Sequence, residues 1–189
     1  MSEANSHISA RDSIRWLQGY FKSLKAWIGE VDGVLGESQW LPFEPNRVST
    51  ALGNRYQDST EWVLNWVTRH YYRAESNKTL LVYLPLATHK AKDEVDVFAY
   101  FMCCEHQSPP PEDGIPGYVR DWSLGAPVIE FLRIHSPGVA LETDQDTLNK
   151  TFRNAVKLKV MKVAMVELGQ DQDSARTAVA ESWQKVMLP

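Results

Sequence analysis

Two apolar runs near the middle of the chain, TLLVYLPLA at residues 79–87 and VDVFAYFMCC at residues 95–104, decide the fold. Both runs are rich in β-branched and aromatic residues, which suit strands, and polar turn residues bound each of them. Because only residues 88–94 separate them, the sequence predicts a β-hairpin. Apolar side chains fall on both faces of the second run, so we expect both faces of the sheet to be covered.

The segment after the hairpin predicts a long irregular loop and then a further strand. Residues 107–126 contain four prolines and three glycines, which is incompatible with a regular helix or strand. Residues 128–134 form another apolar run, interrupted by Glu130 and Arg133, and predict a third strand.

A heptad stripe predicts a long helix at the beginning of the chain, over residues 8–36. Ser9 suits its N-cap position and Gly36 suits its C-terminal end. So wide an apolar face must be buried, either on the core of the same chain or on another chain. The stripe consists of Ile14, Leu17, Phe21, Leu24, Ile28, Val31 and Leu35.

Three more segments have apolar residues at helical spacing. Residues 58–73 predict a second helix, although Tyr71 and Tyr72 favour sheet and leave a strand as the alternative. Residues 143–168 predict a third, long helix, and a last helix is expected to begin at residue 173 or 174. The third helix carries an apolar ridge with a spacing of four: Leu148, Phe152, Val156, Val160, Ala164 and Leu168.

Together these elements predict a single α+β domain over residues 1–189. The expected architecture is a small, mainly antiparallel sheet of three to four strands, covered by helices on both faces. Its parts are an N-terminal long helix at 8–36, a helix and sheet region at 58–136, and a C-terminal helical pair at 143–188. A chain of 189 residues is long enough to bury the core of one such domain.

Composition limits which partners and which cellular compartment are expected for this chain. The formal net charge of −4 makes nucleic acid an unfavoured partner. No apolar run of about eighteen residues exists, so no membrane is expected as a partner. Residues 1–11 are polar and lack the apolar core of a signal peptide. The two cysteines, Cys103 and Cys104, are adjacent and would form a strained disulfide, so a reducing, cytoplasmic setting is expected.

The densest set of potential metal ligands lies at residues 103–106, which read Cys-Cys-Glu-His. In a strand, Cys104 and His106 point to one face while Cys103 and Glu105 point to the other. Each face then offers too few ligands for a structural zinc site, which is usually four-coordinate. We therefore expect no metal and no cofactor, and interpret the cysteines as small apolar core residues.

Glu130 and His106 are the candidate catalytic residues. A carboxylate inside an apolar strand has either a raised pKa or a cationic partner, and both occur at catalytic sites. Together with the acidic residues at 93–96, these two suggest a metal-dependent nuclease or hydrolase. However, the residues after Glu130 lack the carboxylate-x-lysine pattern expected of such a nuclease. Solvent exposure of Glu130 at a sheet edge, or its pairing with Arg133 or a neighbouring lysine, is the favoured interpretation.

The loop at 107–126 holds the candidate ligand-binding residues Tyr118, Arg120, Asp121 and Trp122. Tyrosine and tryptophan bind planar or apolar groups, and arginine binds carboxylate or phosphate in a forked geometry. Long loops on a rigid sheet commonly hold function. The alternative is that Trp122 only anchors the loop to the core.

The sequence favours a non-enzymatic, regulatory binding protein, either a small-ligand sensor or a protein-interaction adaptor. We expect the loop at 107–126 to take a small molecule or a protein partner, and helix 9–35 to form a homodimer interface. The alternative is a metal-dependent hydrolase or nuclease that uses Glu130, His106 and nearby carboxylates.

Overall fold

A computed structural model describes residues 10–43, 49–52, 64–85, 98–109, 138–142, 155–164 and 172–187 of the chain. These described residues contain two helices and seven strands. The helices are α1 (Ala10–Glu37) and α2 (Gln172–Met187). The strands are β1 (Leu41–Pro42), β2 (Ser49–Leu52), β3 (Leu64–Tyr72), β4 (Lys78–Pro85), β5 (Phe98–His106), β6 (Ala140–Glu142) and β7 (Ala155–Ala164).

All the described strands belong to one antiparallel sheet. The strand order is β1-β3-β4-β5-β7-β6, and β2 also pairs with β3. The prediction of an α+β chain with a mainly antiparallel sheet is therefore confirmed. The described sheet has seven strands rather than three to four, partly because β3 and β7 lie where the sequence predicts helices.

The predicted hairpin is present as β4 and β5. These strands pair antiparallel, with Leu81 opposite Met102. On its other side β5 pairs with β7, where Met102 lies opposite Val160. Because β5 is interior to the sheet, its residues are apolar on both faces. The predicted linker, residues 88–94, lies outside the described residues.

Both described helices pack on the same face of the sheet, which we call the helix side. Phe101 lies at the centre of this layer, with its ring edge-on to those of Trp27 and Trp183 at centroid distances of 6.1 and 5.0 Å. Full burial of a large apolar side chain stabilises the fold by roughly 1.5–3 kcal/mol. The core of the helix side includes Leu24, Trp27, Val31 and Leu35 of α1, Val179 and Trp183 of α2, and Leu80, Val82, Leu84, Ala99, Phe101, Met161 and Val163 of the sheet.

The opposite face of the sheet, which we call the second face, is also buried. Leu81, Met102 and Leu158 expose at most 3% of their surface. The prediction that both faces are covered is therefore confirmed. The prediction that helices cover both faces is wrong for α1 and α2, because the apolar faces of both helices meet at Phe101 on the helix side.

α1 confirms the predicted N-terminal helix and extends one residue past the predicted end at Gly36. It ends where Gln39 adopts a left-handed backbone with a φ of 64°. The backbone nitrogen of Trp40 then donates to the carbonyl of Leu35 at 3.0 Å, and the Trp40 side chain enters the core. Of the helices in the described residues, none has the length and the apolar character needed to cross a membrane.

Residues 64–72 form strand β3, so the helix predicted at 58–73 is wrong for these residues and the strand alternative is correct. Val67 and Tyr71 face the helix side, and the side chains of the three residues between them point alternately to the second face and to the helix side. An interior strand is buried on both faces, so its apolar residues occur at many spacings, including those of a helix. The β-branched and aromatic content is the better signal here. Residues 58–63 lie outside the described residues.

Residues 155–164 form strand β7, so the helix predicted at 143–168 is wrong for these residues. A spacing of four keeps side chains on one side of a helix, but four is an even number and also keeps them on one face of a strand. Val160 and its ridge neighbours therefore satisfy both patterns. Met161 and Val163, which lie off the ridge, fill the helix side of the sheet.

Of the remaining predicted elements, one helix is confirmed and the others lie wholly or largely outside the described residues. The last helix is confirmed as α2, which begins at Gln172, one residue before the first predicted start. The helical pair predicted at 143–188 is thus reduced to α2 in the described residues. The third strand predicted at 128–134 and most of the loop predicted at 107–126 lie outside the described residues.

Candidate functional site

Most residues of the predicted sites lie outside the described residues. The predicted ligand-binding residues Tyr118, Arg120, Asp121 and Trp122 are among them, as is the catalytic candidate Glu130. Of the predicted site residues, the structure places His106, together with the adjacent cysteines.

His106 is the last residue of β5, and its side chain is buried on the second face. Its Nε2 lies 2.8 Å from the hydroxyl oxygen of Thr79, on the neighbouring strand. Its backbone nitrogen donates to the carbonyl of Asn77 at 2.8 Å, and the Asn77 amide donates back to its carbonyl at 3.3 Å. Burial lowers the pKa of His106, so the neutral ring is favoured. These contacts fix the ring within the sheet.

Cys103 and Cys104 lie on opposite faces of β5, as their adjacent positions in a strand require. Both are buried free thiols. Burial raises the pKa of Cys103 to about 11, and it raises the pKa of Cys104 as well. The thiols therefore stay protonated at neutral pH. No three His, Cys, Asp or Glu side chains within the described part of the chain are grouped so that they could hold a metal ion.

A second buried histidine, His70, occupies the second face on β3. Its Nε2 lies 3.2 Å from the hydroxyl oxygen of Thr68, two residues earlier on the same strand face. Burial lowers the pKa of His70 to about 3, so the ring is neutral at physiological pH. This pair is not predicted from the sequence, because His70 lies in a segment predicted as a helix. The alternation of polar residues at Thr68, His70 and Tyr72 is the signal that identifies it.

A row of polar side chains crosses the second face near one end of the strands. Thr68 lies opposite Tyr83, Tyr83 opposite Tyr100, and Tyr100 opposite Lys162. The two tyrosine rings are 6.1 Å apart between centroids, and burial raises the pKa of each to about 12. The Lys162 ammonium lies 3.9 Å from the centre of the Phe98 ring. This row adds hydroxyl groups and one cation to a face that also carries the buried polar side chains of His70, Thr79 and His106.

A partly buried ionic network joins α1 to the helix side of the sheet. Both oxygens of Asp32 accept hydrogen bonds from Arg69, whose Nε and terminal nitrogen lie 3.1 and 2.8 Å away. The hydroxyl of Tyr71 donates to the same carboxylate at 2.8 Å. Burial, and then the adjacent Asp32 carboxylate, raise the pKa of Tyr71. This network positions α1. It is not predicted from the sequence, because residues 64–72 lie in a segment predicted as a helix.

The first half of α1 carries an exposed apolar surface. Ile14, Leu17 and Phe21, which we call the N-terminal stripe, are 56%, 37% and 38% exposed. The same heptad pattern continues from Leu24 to Leu35, but there the side chains are buried under the sheet and α2. One continuous apolar stripe is therefore exposed to solvent in the first half of α1 and packed into the core in the second half.

A row of cations borders the N-terminal stripe on one flank. Arg11, Arg15, Lys22 and Lys25, which we call the basic row, follow one another at spacings of four, seven and three. These spacings place them on one side of the helix. Among the described residues, the row has a single ion pair, at 3.9 Å between Arg15 and Asp12. An exposed apolar stripe beside a cationic row is the feature of the described chain best suited to binding.

Comparisons of the chain with known protein families, with curated proteins and with solved structures found no match. Function is therefore inferred from the geometry of the described residues.

Proposed function

We propose that this chain is a non-enzymatic binding protein, a protein-interaction adaptor that engages its partner through the N-terminal stripe. The supporting observation is the change in exposure along α1, from 56% at Ile14 to 1% at Leu35, within one heptad pattern. Apolar groups that cluster on a surface mark interaction sites more often than scattered ones do.

The spacing of the N-terminal stripe suits a helical partner or a groove. Anchors at i, i+3 and i+7, as in Ile14, Leu17 and Phe21, are those of a helix that lies in an apolar groove. Covering their exposed surface contributes about 2–4 kcal/mol. A micromolar complex requires about 8 kcal/mol, so contacts outside the stripe must add to the affinity.

The homodimer predicted through helix 9–35 is the competing occupant of the N-terminal stripe, and it would be restricted to the first half of α1. The side chains from Leu24 to Leu35 already pack within the chain, so only the N-terminal stripe offers its apolar surface to a second copy. Sedimentation at high micromolar concentration tests it, and a purely monomeric chain would contradict it.

The alternatives from the sequence depend on residues outside the described ones. A small-ligand site at Tyr118, Arg120, Asp121 and Trp122 remains a prediction for this reason. A metal-dependent hydrolase or nuclease also remains a prediction, since Glu130 is outside the described residues while His106 is fixed against Thr79.

Photo-crosslinking in native cells tests the adaptor function. A photoreactive residue at Leu17 is expected to give an adduct with a second protein, and Ile14→Ser with Phe21→Ser is expected to abolish it. A photoreactive residue at Gln184, an exposed position on α2, is the matched control and is expected to give no such adduct. The same adducts at both positions, or none at Leu17, would contradict the proposal.

A further inference from the structure

We infer that the partner of the N-terminal stripe is an acidic amphipathic helix of another protein. In this arrangement its apolar residues cover the stripe, and its carboxylates lie along the basic row. The inference rests on the proposed adaptor function and specifies the chemistry of the partner.

The charges of α1 are segregated along its length. Residues 10–25 carry four cations and one carboxylate, a net charge of +3 in a chain whose total is −4. The second half of the helix carries Glu30, Asp32 and Glu37. A binding surface in the first half is therefore locally basic although the whole chain is acidic.

The acidic half of α1 is already paired within the chain. Arg176 of α2 lies 3.5 Å from Glu30 and also pairs with Glu37, and Arg69 of β3 pairs with Asp32 at 2.8 Å. Within the described residues, by contrast, Arg11, Lys22 and Lys25 form no ion pair. Three of the four cations of the basic row thus remain available to a partner.

The charges disfavour a second copy of this chain as the occupant. An antiparallel pair centred on the N-terminal stripe sets Arg11 opposite Lys25 and Arg15 opposite Lys22. Like charges at such positions destabilise a helix pair, and each helix would bring a net charge of +3 to the contact. A partner helix with carboxylates at these positions turns the same contacts into attractive ones.

The size of the stripe favours a helix over a membrane surface. Ile14 is more than half exposed, while Leu17 and Phe21 expose little more than a third of their surface. Anchors of this size at i, i+3 and i+7 suit a partner helix, whereas binding to a bilayer grows with the apolar area that a helix buries in it. The cations also follow one flank only, which matches one row of carboxylates better than a bilayer that offers anionic groups on both sides.

A panel of defined probes tests the chemistry of the partner with the full chain. The first probe is a labelled synthetic helix with leucines at heptad positions and glutamates along one flank, and the second replaces those glutamates by lysines. Phosphatidylcholine vesicles with and without phosphatidylserine are the third. Fluorescence anisotropy measures the peptides, vesicle co-sedimentation measures the lipids, and analytical ultracentrifugation measures self-association.

The acidic peptide is expected to bind and the basic peptide is not. Lys22→Glu and Lys25→Glu are each expected to weaken binding roughly fivefold, because each replaces an exposed attraction by a repulsion. Lys185→Glu, an exposed charge reversal on α2, is the matched control and is expected to leave binding unchanged. Higher salt is expected to weaken the complex, since the charges are exposed.

Several outcomes would overturn the inference. In the peptide measurements, these are equal binding of the two peptides, no binding of either, and an affinity for the acidic peptide that Lys22→Glu and Lys25→Glu leave unchanged. In the other measurements, they are vesicle binding that depends on phosphatidylserine and self-association of the chain through the stripe. The adaptor function is judged separately by the crosslink at Leu17. An adduct that Ile14→Ser and Phe21→Ser abolish, but that the two lysine reversals leave intact, would retain the adaptor function and reject an acidic partner.

Discussion

At the scale of single residues, the partly buried Asp32 carboxylate of α1 is paired across elements, with Arg69 and Tyr71 of β3. Asp32 joins a helix to a strand through Arg69, whose side chain is only 6% exposed. Charges in such places contribute little when paired but are costly when one partner is removed. Stability at these positions therefore depends on keeping both partners.

Asp32→Ala is expected to destabilise the chain by about 3 kcal/mol, because Arg69 keeps a buried charge without this carboxylate. Arg69→Met, which removes the charge, is expected to cost less. The double variant is expected to recover part of the loss that Asp32→Ala causes, which a double-mutant cycle in urea measures as a coupling energy. Additive losses in the double variant would show that the network does not stabilise α1 on the sheet.

The free energy of unfolding is expected to decrease when the pH is lowered, because His70 is buried as a neutral ring. Its pKa is about 3 in the folded chain, against an ordinary value of 6.5. Between these values the unfolded chain binds a proton that the folded chain excludes, so stability is complete above pH 6.5 and decreases as the pH falls. The slope is up to about 1.4 kcal/mol per pH unit for one such group.

Urea unfolding between pH 7 and pH 5 checks this, with His70→Gln as the variant. The glutamine variant is expected to show a shallower pH dependence, with a remaining slope from His106, whose pKa burial also lowers. An unchanged slope in the variant would show that His70 is not the group that titrates.

At the scale of elements, the two halves of α1 differ in what they contribute to stability. The matched pair Leu17→Ala and Leu35→Ala separates them, since the same side chain is 37% exposed at one position and 1% exposed at the other. Leu35→Ala is expected to cost about 2–5 kcal/mol in denaturant, whereas Leu17→Ala is expected to cost less than about 1 kcal/mol. Similar losses would show that the first half of the helix is also part of the core.

Elements whose pattern admits one interpretation are predicted correctly from the sequence, and those whose pattern admits two are not. α1 and α2 carry one apolar face each, and the apolar runs in β4 and β5 are short and bounded by polar residues typical of turns. In β3 and β7 apolar residues fall on both faces of the sheet, so the apolar residues alone do not alternate as they do in a strand with one exposed face. The ridge through Val160 then fits a helix and a strand equally well, and pairing with β5 determines the outcome.

At the scale of the whole molecule, β5 lies between the buried layers on the helix side and on the second face. Each layer contains one of its two cysteines, so thiol reactivity measures the opening of each layer separately. Cys103 faces the helix side and Cys104 the second face, and the pKa of each thiol is raised by burial. Both thiols are expected to resist a thiol reagent in the folded chain and to react at the same rate through global unfolding. Single-cysteine variants, Cys103→Ala and Cys104→Ala, measured in increasing urea, check this. Earlier reaction of Cys103 would show that the helices open independently of the sheet.

The binding surface is predictable from the sequence only in part. The heptad pattern runs from Ile14 to Leu35 without a break, so spacing alone does not show where the helix leaves its own core. That boundary depends on where the sheet and α2 end, which is a property of tertiary structure. Charge is the signal that the sequence does contain, since cations border the stripe up to Lys25 and carboxylates follow from Glu30.

Because α1 is continuous, its exposed first half is already helical before a partner binds. A free peptide of residues 10–25 would be a marginal helix in water, because nucleating a helix of about 15 residues is unfavourable. In the chain, the buried turns from Leu24 onward supply the nucleus, so the exposed turns extend the helix without a second nucleation step. A protein that docks there meets turns that are already helical, so less ordering remains for the moment of binding.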